Sequence, residues 1–110
     1  MADVESLLPN RIRQLPRQGG DVPRYTLHAP GCDVLFVATA ADSGVPPHVH
    51  DTDNVTLVVV GEAVVTTSAG ERRYRPGDWY ETTANEQHSV RFDLDTVQVE
   101  LRFAVDSPDA

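Results

Sequence analysis

The segment Pro46-Pro47-His48-Val49-His50 sets two imidazoles one residue apart, and a third, His88, follows after a strand-turn-strand passage. Alternate residues of a strand point to the same face. His48 and His50 can therefore aim at one point, and His88 can reach it from a neighbouring strand. Neutral imidazole is the commonest protein ligand for transition metals, so three converging rings outline a divalent-metal site. His28 lacks such company and reads as a structural or exposed residue.

The elements that must hold these rings are strands. After Pro23 the chain breaks into short runs rich in Val, Thr, Phe and Tyr, punctuated by Gly, Pro, Asp and Ser. Strands are expected at 25–29, 33–40, 54–60, 63–67, 72–74, 79–82, 89–92 and 97–105. Gly61-Glu62 and Ser68-Ala69-Gly70 read as hairpin turns. Regular short strands of this kind make an all-β sandwich or barrel. Residues 1–22 form an N-terminal arm, polar and broken by Pro9, Pro16 and Gly19-Gly20, with Leu7, Leu8, Ile12 and Leu15 at near-helical spacing. The barrel domain is expected over 23–105, and 106–110 as a frayed tail.

Two strands carry more information than the rest. Val55 to Val60 is nearly all apolar, and a strand apolar on both faces needs cover on both. In a chain this short the outer cover is expected to be a second copy, making a homodimer. The last strand alternates, with Val97, Val99, Leu101 and Phe103 on one face and Gln98, Glu100 and Arg102 on the other. The polar set faces either solvent, as usual for a half-covered sheet, or a polar barrel lumen.

Composition bounds the rest. A chain of 110 residues is one domain, able to bury a core without staples. The formal charge of −8 argues against nucleic acid and gives no attraction to an anionic membrane. No stretch approaches the roughly 20 apolar residues of a membrane span. The opening Met1-Ala2-Asp3-Val4-Glu5 is acidic and unlike an apolar leader, and Cys32 has no partner for a disulfide, so a cytoplasmic protein is expected. All nine basic residues are arginine. There is no Gly-rich phosphate loop and no strained Ser-nucleophile motif.

Pro47-His48-Val49-His50, then Asn54, then Gly61-Glu62 resembles the first motif of the cupin superfamily. Arg75-Pro76-Gly77-Asp78, with His88 ten residues after the aspartate, resembles the second. The resemblance implies a small antiparallel cupin barrel, that is, a double-stranded β-helix or jelly roll. It also implies a metal held inside by histidines and an acidic or amide residue, and frequent dimers. One fold hosts many chemistries, so the reaction does not follow.

The chain departs from the pattern at Asn54, where the family usually has glutamate. Residue 54 shares parity with His50, so Asn54 could ligate through its amide oxygen, hold a metal-bound water, or stand aside from a three-histidine site. Asp51 and Asp53 have the wrong parity unless a bulge turns Asp53 inward. Thr83 and Asn85 replace a family proline and glycine, and Asn tolerates left-handed geometry. Gly61 reads as backbone geometry, and Asp78 as a turn residue bonding amides.

The resulting expectation is a metal-dependent small cupin enzyme acting on a small oxygenated organic molecule, with Zn, Fe, Mn, Ni or Cu as cofactor. Non-redox lyase, isomerase or cyclase chemistry is favoured over a dioxygenase of the three-histidine type and over a non-catalytic ligand-binding cupin. Candidate acid/base groups are Glu81, Glu100, Tyr80 and Tyr25. Tyr25, Phe36, Thr56 and Trp79 are candidate pocket walls. Trp79 and Tyr80 are adjacent on a strand, so only one of them faces inward.

Overall fold

The computed structural model describes residues 3–19 and 22–105. The expected tail, 106–110, lies outside the described residues, as do positions 1, 2, 20 and 21 of the arm. Ten strands follow the arm's opening turns: β1 (Arg17–Gln18), β2 (Arg24–Ala29), β3 (Cys32–Thr39), β4 (Ser43–His48), β5 (Thr52–Val60), β6 (Ala63–Thr67), β7 (Gly70–Tyr74), β8 (Trp79–Thr82), β9 (His88–Phe92) and β10 (Thr96–Ala104). They form two antiparallel sheets, ordered β1-β2-β3-β10-β5-β8 and β4-β9-β6-β7. This is the jelly-roll arrangement that the cupin resemblance implied, and it falls within the sandwich or barrel expected from the strand and turn pattern.

The turns close where residue chemistry allows. Gly61 ends β5 at φ +84°, and a Cβ there would lie 2.3 Å from the Asp95 carbonyl oxygen. Only glycine fits such a position. Asn85 takes the left-handed geometry expected of it, φ 65°. Asp78 accepts a hydrogen bond from the Arg75 backbone N–H at 2.9 Å, closing the Arg75–Asp78 turn.

Two strands were not expected. β1 is only two residues long and edges the larger sheet. β4 contains Pro46 and Pro47, which cannot donate to a ladder. It survives because it is an edge strand, and its pairing with β9 shifts register between Val45 and His48.

The direction of each strand face decides what the barrel encloses. Gln98, Glu100 and Arg102 of β10 lie opposite Val37, Leu35 and Asp33 of β3 and Val58, Thr56 and Asn54 of β5. Gln98, Glu100 and Arg102 line the inner chamber, so the polar face of β10 is the lumen and not solvent. That corrects the usual expectation for an alternating strand. The lumen is divided. Val58, Ala63, Val65, Tyr80 and Phe92 pack together at one level, and the histidines and other polar groups occupy the remainder.

The apolar face of β10 points outward, and the arm covers part of it. Leu8 joins Tyr25, Ala38 and Val97 in a second core cluster, with Val4, Ile12, Leu15 and Phe36 against it. The near-helical spacing in the arm is realised as two short 3-10 turns, Val4–Leu7 and Ile12–Gln14. The Glu5 carboxylate fastens the arm. It accepts from Arg17 at 2.9 and 3.2 Å and from the Tyr25 hydroxyl. Bonding to Arg17 first, then to Tyr25, holds the Glu5 carboxyl below its ordinary range.

Candidate metal centre and substrate chamber

The three imidazoles meet. His48 ends β4, His88 begins β9, and the two are register partners. His50 follows β4 in the loop before β5. Ring centroids lie 4.2 Å apart for His48–His88, 4.6 Å for His48–His50 and 5.2 Å for His50–His88. One nitrogen from each ring lies within 4.8 Å of the other two, and His48 Nε2 is 3.0 Å from His50 Nε2. Nitrogens held about 2.0–2.1 Å from a zinc ion at tetrahedral angles sit roughly 3.3 Å apart, so the cluster is near ligand spacing.

The backbone fixes which nitrogen faces inward. His48 Nδ1 is 2.8 Å from the Pro46 carbonyl oxygen, and His88 Nδ1 is 3.1 Å from that of Glu86. A carbonyl only accepts, so each Nδ1 carries a proton, which leaves each Nε2 as the atom a metal would take. This outer hydrogen bond is the usual companion of a metal-binding histidine. Burial first, then the Arg102 charge and the neighbouring rings, pushes His50 down to about 4. It is therefore neutral near pH 7, as a ligand must be. The donor set fits a divalent transition metal.

Asn54 is drawn elsewhere. It is 2 % exposed, its Oδ1 accepts from Thr52 Oγ1 at 2.6 Å, and its Nδ2 donates to Glu100 Oε1 at 3.4 Å. These bonds tie Asn54 to Thr52 and, at longer range, to Glu100. Asp53 stays outward, where Oδ1 accepts from the Ala84 N–H at 2.8 Å. The one shift in the β5–β10 ladder falls at Val97/Gln98, away from Asp53, so no bulge turns it inward.

The chamber beside the histidines takes in Thr56, Tyr80, Gln98, Glu100, Arg102 and Arg24. The Tyr80 hydroxyl donates to Gln98 Oε1 at 2.5 Å. Burial, chiefly, and the charge of Glu100 push the Tyr80 phenol up, so it stays protonated as a donor. Glu100 Oε2 accepts from Arg102 Nε at 3.3 Å and Nη2 at 3.2 Å.

Several expected site residues stand outside it. Trp79 and Glu81 alternate with Tyr80 and Thr82 on β8 and face outward, Trp79 being 53 % exposed. Tyr25 and Phe36 also face outward, Tyr25 bonded to Glu5 under the arm and Phe36 packed beside it. These four are corrected from chamber to exterior, because their parity is opposite to that of Thr56, Tyr80 and Glu100. His28 is exposed and pairs with Asp33 at 2.9 Å, and Cys32 is a free, half-buried thiol. Arg24 and Arg102 are chamber residues that had not been singled out. Arg102 shares parity with Glu100, which was a usable signal, whereas nothing local marked Arg24.

No model of a protein family matches the chain, and no curated protein sequence matches it. Solved structures do resemble it in fold. KdgF from Halomonas sp. superposes with a TM-score of 0.73 at 21% identity, over 86% of this chain and 92% of that one. An RmlC-like cupin from Shewanella frigidimarina NCIMB 400 gives 0.75 at 16% identity, over 89% and 91%. A cupin superfamily protein from Desulfitobacterium hafniense DCB-2 gives 0.70 at 17% identity, over 93% and 88%. Two facing antiparallel sheets, the histidine cluster within them and these neighbours agree on one architecture: the chain has the cupin fold.

Proposed function

We propose that this chain is a metal-dependent enzyme acting on a small oxygenated organic molecule, with a divalent transition metal held by His48, His50 and His88. The observation that carries the reading is the convergence of the three rings, with two Nδ1 atoms committed to backbone carbonyls. A bound ion supplies Lewis acidity toward a substrate oxygen. The side chains around it supply the rest. Glu100 is the one carboxylate among the chamber's lining residues, and it accepts or returns a proton at its carboxylate oxygens. Arg102 and Asn54 hold that carboxylate in place. Tyr80, kept protonated, and Gln98 orient polar groups in the chamber. An acid/base group that stands beside the ligand set, not within it, favours proton-transfer chemistry of the lyase, isomerase or cyclase type.

The experiment is metal analysis of untagged protein together with His48→Ala and His88→Ala variants. One metal per chain is expected, with affinity in each variant falling by at least the roughly 10–100-fold that loss of a ligand's outer partner costs. Either variant retaining full metal would show the ligand set to be wrong. Oxygen uptake with diketone, flavonol or thiol substrates would reassign the chamber to a dioxygenase. We further place the protein in the cytoplasm, on its single unpaired cysteine, and as a homodimer, on its outer apolar face. Among the described residues no helix is long and apolar enough to cross a membrane.

A further inference from the structure

The chamber has a basic wall. Arg102 of β10 and Arg24 of β2 both line it, and Glu100 is the one carboxylate beside them. The whole chain has 9 basic residues against 17 acidic. Inside the chamber the balance is reversed, and a low-dielectric enclosure focuses that positive charge.

Arg102 is only partly satisfied by the protein. Its Nε and Nη2 both reach the same oxygen of Glu100, Oε2. Nη1 has no partner among the described residues. A guanidinium presents a planar fork suited to two carboxylate oxygens, and here half of that fork is unused. The other acid within register reach is Asp33, directly across from Arg102 on β3, and it is taken by His28. Arg24 carries the true deficit, because its unpartnered atom is buried whereas Nη1 of Arg102 is open to solvent. The Arg24 Nε is buried with no hydrogen-bond partner among the described residues. A buried donor left unpaired costs free energy, and an incoming acceptor relieves that cost.

We infer that Arg102 and Arg24 form an anion-binding wall, and that the molecule this chamber accepts is a small carboxylic acid. Its carboxylate pairs with Arg102, Arg24 adds positive charge four residues further along the β3 ladder, and its other oxygen faces the three imidazoles. The inference deepens the reading of this chamber as a substrate site. The wall itself acts without a metal, so the two can fail separately.

The test uses lactate and lactamide, which differ mainly in charge at one end. EDTA-treated protein, labelled with nitrogen-15, is titrated with each while the arginine Nε–H resonances are followed. Lactate is expected to bind at least about tenfold more tightly than lactamide, as a charge-assisted pair should. Arg102→Gln is expected to reduce that preference to within about twofold, and Arg24→Gln to weaken it. Arg75→Gln, on the exterior, is expected to leave it unchanged. If Arg102→Gln misfolds because Glu100 is left unpaired, the double variant Arg102→Gln/Glu100→Gln removes the stranded charge and gives the same comparison. Equal binding of the two probes by the unaltered protein overturns the wall, as does a preference that survives loss of both arginines. Zinc affinity of the same samples, measured by chelator competition, tests the metal site by itself. Preference without zinc keeps the wall and rejects the metal. Zinc without preference does the reverse.

Discussion

At the residue scale, the chamber's groups do their work through protonation state and hydrogen-bond partners. His50 is the clearest case, depressed from 6.5 to about 4 by burial and by the positive charge of Arg102. Between those values the unfolded chain binds a proton at this site that the folded chain refuses. Stability of the metal-free protein therefore falls as pH drops from about 6.5 to about 4, and the penalty is constant below that. Denaturant unfolding across that range should show the decline, and His50→Gln should flatten it; an equal slope in the variant would place the titration elsewhere. Tyr80 offers a second check. Tyr80→Phe leaves the buried Gln98 Oε1 without its donor, and a loss of about 1–3 kcal/mol is expected by chemical denaturation. A neutral result would mean that water replaces the hydroxyl.

At the element scale, strand parity sorts the chamber from the exterior. β8 shows it in four residues: Tyr80 and Thr82 enter, while Trp79 and Glu81 leave. β10 sends Gln98, Glu100 and Arg102 inward and returns its apolar residues to the outer face, where the arm covers Val97. The turn after β5 keeps this parity in step. A methyl at Gly61 would meet the Asp95 carbonyl and the Thr96 hydroxyl at 2.3 and 2.5 Å. Gly61→Ala is accordingly expected to cost more than the roughly 1–2 kcal/mol of left-handed geometry alone. Equilibrium unfolding measures it, and a change below about 0.5 kcal/mol would mean that the turn relaxes freely.

At the scale of the whole molecule, the arm leaves much of the outer face bare. Two register rows cross the larger sheet there, Leu27–Val34–Leu101–Val55 and Phe36–Val99–Leu57–Trp79. Leu27, Phe103 and Trp79 on this face are 41–53 % exposed. A contiguous apolar surface of that kind marks an interaction site. A second copy of the chain is the expected cover, giving a dimer by sedimentation at micromolar concentration. Leu101→Arg, which sets a charge mid-face, should shift it to monomer while the histidine chamber still binds metal. A wild-type monomer at that concentration refutes the dimer.

The resemblance to cupins supported His88 as the third ring and Asn85 as a left-handed turn, whereas residue types and local spacing alone paired His48 with His50 and gave the strand pattern and the hairpin at Gly61. These last are short-range properties: a pair at i and i+2 shares a side, and a backbone angle selects the residue that tolerates it. Two prolines hid β4, because propensity alone does not say that a strand lies at an edge. Which side of β10 and β8 faces inward was decided only in three dimensions. Alternation separates two faces but does not say which is enclosed, and that depends on the sheet stacked opposite and on the arm laid outside. The same stacking made chamber walls of Arg24 and Arg102 and exterior residues of Tyr25, Phe36, Trp79 and Glu81.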